Sequence, residues 1–186
     1  QAMQNAGRIM KETGASAVKL EGGKEVCPQI RAITAAGIPV VAHIGMTPQS
    51  VNAFGGFTVQ GKGEANARRV LEDALAVQEA GAFAVTLECV PPKLSALITK
   101  KLDIITIGIG ASPECDAQVL VWQDMLGISD FKPKFAKQFA EVGETMREAF
   151  RAYDGEVKSG VFPASEHTFV KSDCTEEFLA SLDVEY

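Results

Sequence analysis

Short apolar runs alternate with longer segments of helical periodicity along most of the chain. Residues 2–12 read as a helix closed by Gly14, since a glycine reaches the left-handed conformation that ends helices. The run 15–21 then reads as a strand, followed by a Gly22-Gly23 turn and a helix over about 25–36. A second strand, 39–45, opens into a glycine-rich loop from 46 to 63. Over 64–80, Val70, Leu71, Ala74, Leu75 and Val77 recur at helical spacing. Strands at 83–90 and 104–110 flank a helix near 92–100, and a fifth strand-like run lies at 119–122. The stretch 134–158 predicts a further helix, and the acidic tail 172–186 ends in a short one.

Strands separated by helices predict parallel βα units. One internal echo sharpens this. Gly14-Ala-Ser-Ala-Val-Lys-Leu-Glu21 and Gly81-Ala-Phe-Ala-Val-Thr-Leu-Glu88 agree at six of eight positions. Each places a glutamate at the carboxyl end of a strand. That end carries the site in a (β/α)8 barrel, and a doubly wound sheet also binds ligands there, so the echo leaves both architectures open. Five strands fall short of the eight in a closed barrel, and an open arc exposes two strand edges. The expectation is therefore one domain over 1–186, the later part of a barrel with about three βα units ahead of it. The absence of an initiator Met before Gln1 suits either processing or a fragment.

Composition narrows the classes. The chain is 46% hydrophobic with a net charge of −6 and a pI near 5.0, which argues for a packed core and against a nucleic-acid partner. No apolar run of about 18 residues suggests a membrane span. Cys27, Cys89, Cys115 and Cys174 form no CxxC pair, so reduced thiols are the simplest reading.

Candidate chemistry gathers at strand ends. Lys19 and Glu21 share one strand face, as a structural ion pair or as site residues. His43 sits on an apolar strand, where a core histidine is the commoner outcome. Glu88 ends an apolar strand and suits a general base. Gly56 through Lys62 fits GxxxxGK, but Gly63 stands where Ser or Thr would hold magnesium, so a nucleotide-binding loop is rejected. A surface loop or a lid over the site remains.

These pieces occur together, in order. They are Val18-Lys-Leu-Glu-Gly-Gly23, His43-Ile-Gly-Met-Thr-Pro-Gln-Ser50, Gly55-Gly-Phe-Thr-Val-Gln-Gly-Lys62 and Leu87-Glu-Cys-Val-Pro91. Thr106-Ile-Gly-Ile-Gly-Ala111, Pro133-Lys-Phe135, Gly160-Val-Phe-Pro163 and Glu166-His-Thr-Phe169 continue the series. In this the chain resembles ketopantoate hydroxymethyltransferases over about residues 5–170. The resemblance implies an α/β fold, a (β/α)8 TIM-type barrel of the phosphoenolpyruvate mutase and isocitrate lyase group, here about its last five βα units. It implies transfer of a hydroxymethyl group from 5,10-methylenetetrahydrofolate to 3-methyl-2-oxobutanoate, giving 2-dehydropantoate for pantothenate and coenzyme A synthesis.

On that resemblance Glu21 is a Mg2+ ligand, Lys19 and His43 contact the oxo acid, and Glu88 is the catalytic base. Its partners are then a small 2-oxo acid and folate, in a homo-oligomer that is often a decamer. Bacterial members are cytoplasmic and fungal ones mitochondrial. Three departures stand out. A Gly-Asp-Ser strand end and a second aspartate of the family lie outside this chain, Ser112 replaces a usual glycine, and Gln123 a usual histidine. The rival expectations are a related carbon–carbon lyase acting beside a 2-oxo acid, and a fragment with a role in assembly only.

Overall fold

The computed structural model describes residues 1–169 and 174–182, and these fall into two compact units. The first comprises residues 1–125 and 131–137. Its strands are β1 (Val18–Glu21), β2 (Val40–Gly45), β3 (Ala84–Glu88), β4 (Ile105–Ile109) and β5 (Ala117–Gln118). Helices α1 (Ala2–Thr13), α2 (Cys27–Ala35), α3 (Glu64–Glu79) and α4 (Pro92–Lys101) intervene, and a short α5 (Trp122–Met125) follows. Gly14, at φ 68°, closes α1 as expected.

All pairings are parallel, and spatial order equals sequence order, β1-β2-β3-β4-β5. A doubly wound sheet reverses direction at a switch point. Sequential order is instead that of a (β/α) barrel wall of TIM type, which settles the choice the sequence pattern left open. Right-handed crossovers then put every intervening helix on the same side.

Strand parity divides the residues between two faces. Val18, Val40, Ala42, Ile44, Val85 and Leu87 join Ala6 of α1, Ile30 and Ile33 of α2, Val70, Ala74 and Val77 of α3, and Ile98 of α4 in one buried cluster. The opposite face carries Lys19, Glu21, His43, Thr86 and Glu88. Among the described residues the outer edge of β1 is unpaired.

The fifth strand lies two residues earlier than the apolar run 119–122 predicts, and Trp122 already begins α5. The cause is Asp116, whose Oδ2 accepts the Thr106 N–H at 2.8 Å and the Thr106 hydroxyl at 2.8 Å. That side chain takes the place of a main-chain partner and leaves β5 two paired positions.

The second unit comprises residues 126–130 and 138–186, described through 169 and over 174–182. Its long helix α6 (Val142–Ser159) starts eight residues later than expected, because 131–137 belong to the first unit, where the Phe135 ring covers Gly110. Glu144 pairs with Arg147 at 2.8 Å and Arg151 at 3.1 Å along the helix surface. After α6, Phe162 meets Tyr153 edge-on at 5.5 Å and His167 at 5.1 Å. The helix expected in the tail is α7 (Glu176–Leu182); positions 172–173 and 183–186 of that tail lie outside the described residues. Among the described residues no helix is long and apolar enough to cross a membrane.

Candidate active site at the strand ends

Parallel register brings three of the four candidate side chains together. Glu21 is level with His43 across β1 and β2, and Gly45 is level with Glu88 across β2 and β3. The glutamates therefore flank the histidine from neighbouring strands on the same face. His43 Nδ1 lies 3.7 Å from Glu21 Oε1, and Nε2 lies 3.1 Å from Glu88 Oε2. The second distance is short enough for a hydrogen bond, but the atoms are out of line, and both ring nitrogens are buried without a hydrogen-bond partner.

With 2% of its side chain exposed, His43 is a core histidine by burial and a site histidine by contact. Leaving two imidazole nitrogens unsatisfied in the interior costs about 1–3 kcal/mol each by the usual penalty for an orphaned polar group. Such strain concentrates where a ligand completes the bonding.

The backbone around the trio is tightly fixed. Glu21 Oε2 accepts the Gln49 N–H at 2.9 Å, and the Gly22 N–H donates to the His43 carbonyl at 2.9 Å. The Glu88 carbonyl accepts from Met46 at 2.8 Å. Cys89 follows at φ 50°, its N–H donating to Ile109 and its carbonyl accepting from Gln60, both at 2.9 Å. Loop 46–63 is thus anchored at Met46 and at Gln60 beside the base candidate.

Lys19 shares the face of Glu21 but is exposed, and among the described residues no salt bridge joins the two. Ser112 is buried, its hydroxyl accepting the Glu114 N–H at 3.1 Å, while Gln123 is half-buried on α5.

Sequence reasoning passed over Asp73 on α3. Its Oδ1 accepts the Lys24 N–H at 3.0 Å, and its carboxyl lies where a side chain on Gly23 would otherwise go. Burial pushes the Asp73 carboxyl above the usual range, against the pull of the Lys24 N–H. The clue was there: Asp73 falls on the apolar stripe of Val70, Ala74 and Val77, an expensive place for a carboxylate without a task.

The family model described as ketopantoate hydroxymethyltransferase matches residues 1–165. The chain belongs to that family. A 3-methyl-2-oxobutanoate hydroxymethyltransferase of Clostridium novyi is 62% identical over 169 residues, covering 90% of this chain and 62% of the relative. A protein of the same name from Enterococcus faecalis is 61% identical over 91% of this chain and 62% of its own length. One from Rhodococcus jostii is 60% identical over 91% and 58%. The chain thus spans about 62% of the length of the first of these ketopantoate hydroxymethyltransferases. A solved lyase/mutase chain from Burkholderia cenocepacia aligns over 95% of this chain and 62% of its own, at 13% identity and a TM-score of 0.40, and adds nothing to the assignment.

A hard cation such as magnesium prefers carboxylate, carbonyl and water oxygens and usually takes one or two carboxylates. Glu21 offers one oxygen, the other being held by Gln49. Among the described residues no three His, Cys, Asp or Glu side chains gather as a metal site. Glu21 therefore fits as one ligand of a shared site and not as a complete one.

Proposed function

We propose that the protein containing this chain transfers a hydroxymethyl group from 5,10-methylenetetrahydrofolate to 3-methyl-2-oxobutanoate, giving 2-dehydropantoate. Family membership supports the reaction class. The observation that carries the reading to particular atoms is the trio on one face, buried His43 between the half-buried Glu21 and Glu88.

In this reading Glu88 takes the proton from the carbon next to the ketone. The donor's methylene carbon bonds to the enolate carbon and to a water oxygen as both of its carbon–nitrogen bonds break, and the two freed nitrogens of tetrahydrofolate take up the proton held by Glu88 and one from the water. His43, buried against Glu88, keeps the carboxylate near its productive position and offers a ring nitrogen to the oxo acid. Lys19 places a positive charge on the same face for the developing oxyanion. Glu21 is the oxygen donor this chain gives to Mg2+, which when bound supplies Lewis-acid polarisation of the oxo acid.

The test is turnover by the full-length protein, followed as tetrahydrofolate released from methylenetetrahydrofolate with 3-methyl-2-oxobutanoate present. Glu88→Gln should lower kcat by about 10²–10⁴-fold, the usual contribution of a positioned base. Undiminished turnover in that variant removes Glu88 from the role.

A further inference from the structure

The carboxylate offered to Mg2+ stands on the last residue of β1, so its aim depends on the turn that follows. Gly22 is tied to β2, its N–H donating to the His43 carbonyl at 2.9 Å, and Cys27 enters the core at the start of α2. Between these points, Gly22–Glu25 borders a cavity of about 640 Å³ shared with loop 46–60 and α3. Packing against the turn is therefore sparse, and polar contacts decide where it sits.

Two such contacts come from α3. Glu72 Oε2 meets Lys24 Nζ at 2.5 Å, but both side chains are about half exposed, and exposed pairs contribute little. Asp73 grips the main chain instead. Its Oδ1 accepts the Lys24 N–H at 3.0 Å, a bond strengthened by the carboxylate's charge. Its side chain also fills the space beside Gly23, where an added Cβ would stand 2.2 Å from Asp73 Cγ and 2.6 Å from its Cβ. Turn and carboxyl thus fit each other only because residue 23 is glycine. The grip is firm at its other end, since Val70, Ala74 and Val77 seat the same side of α3 in the core.

We propose that Asp73 is a positioning residue for the transferase reaction: by holding the Gly23-Lys24 main chain to α3, it fixes the direction in which Glu21 presents its carboxylate to the metal. The proposal rests on the transferase reading above and on its assignment of Glu21 to Mg2+. Asp73 acts through the turn, which starts one residue after Glu21, and takes no part in the chemistry itself. Groups that orient a ligand typically contribute roughly 10–100-fold in metal affinity.

Mn2+, which favours the same oxygen ligands as Mg2+, reports that affinity in the full-length protein through the loss of its free-ion EPR signal, with no turnover required. Lys24→Pro removes the N–H that Asp73 accepts and leaves α3 untouched. It falls at an exposed position, the first of a 3-10 turn over Lys24–Val26, where proline is tolerated. Lys24→Pro and Asp73→Ala should each weaken Mn2+ binding by about tenfold or more. Asp73→Asn keeps an oxygen for the Lys24 N–H and should bind within about threefold of the unaltered protein. Glu72→Ala removes only the surface pair and should change nothing. Unaltered affinity in Lys24→Pro overturns the proposal, whether or not Asp73→Ala folds, and so does an Asp73→Asn as weak as Lys24→Pro. Glu21→Gln separates this failure from that of the underlying reading. If Glu21→Gln loses affinity and Lys24→Pro keeps it, the positioning role alone falls. If Glu21→Gln binds Mn2+ as the unaltered protein does, or the unaltered protein binds none, the metal assignment falls and the proposal with it. Absence of turnover in the unaltered enzyme would count against the transferase reading, while the EPR comparison still decides the role of Asp73.

Discussion

Replacing Gly45 by alanine tests the geometry on which the site stands. Gly45 has φ 90°, and an added Cβ would lie 2.3 Å from the Glu88 carbonyl oxygen and 2.7 Å from Val90 Cγ2. Holding a non-glycine residue in such a region costs about 1–3 kcal/mol. Forcing a methyl into filled space costs typically another 1–3 kcal/mol, for a total of about 2–6 kcal/mol.

Gly55 supplies the control, since it has φ 70° but nothing within 4 Å of its added Cβ. Gly55→Ala should therefore lose only the left-handed penalty, roughly 1–2 kcal/mol. Urea unfolding followed by the fluorescence of Trp122 reads both variants in the first unit. With slopes of about 1–3 kcal/mol/M, Gly45→Ala should lower the midpoint by on the order of 1 M or more. The relief available is for β2 to pull away from β3, which would lengthen the Met46 to Glu88 hydrogen bond and shift Glu88 from His43. A Gly45→Ala midpoint no lower than that of Gly55→Ala refutes the close approach of the two strand ends.

Other outcomes follow from groups away from the site. Thr106 is fully buried, its hydroxyl bonded to Asp116 at 2.8 Å and to Thr99 at 3.0 Å. Thr106→Val should cost about 1–3 kcal/mol in urea unfolding, through unpaired polar groups. The backbone N–H and hydroxyl of Thr106 hold the Asp116 carboxyl below its usual range. Its folded-state value is therefore the lower one, and its contribution is present above the unfolded pKa of about 3.9 and lost as pH falls through the folded value. The stability gap between the native protein and Asp116→Asn should accordingly narrow as unfolding is measured from pH 5 to pH 2, and a constant gap would contradict the pairing. Thiol titration at pH 8 should show one fast site, the exposed Cys174, ahead of buried Cys27 and Cys115 and of half-buried Cys89. Burial also pushes the Cys27 and Cys89 thiols up, which slows both. A fast reaction that survives Cys174→Ser would contradict this order.

Much of the first unit is readable in the sequence because its determinants are local. The repeated Gly-Ala-x-Ala-Val-x-Leu-Glu strings encode a turn, a strand and a terminal carboxylate, and strand parity alone puts Glu21, His43 and Glu88 on one face. The misreadings at β5 and α6 have tertiary causes. Periodicity cannot show that Asp116 reaches back to Thr106, or that Phe135 leaves the helical stretch to cover Gly110. Asp73 was hidden for the same reason, as its partner Lys24 lies 49 residues away. The wall order of the strands, which decides the architecture, is likewise absent from any single segment.

Loop 46–63 joins β2 to α3 and lengthens the connection to β3, so Val41 must find Ala84 across a separation about twice that between Val18 and Val40 or between Ala84 and Ile105. Chain-closure entropy grows only logarithmically, and doubling a connection costs about 0.6 kcal/mol. Evolution can therefore lengthen, shorten or rewrite this segment between its Met46 and Gln60 anchors with little effect on the folding equilibrium. The segment can change there while the strand ends that carry Glu21, His43 and Glu88 keep their register.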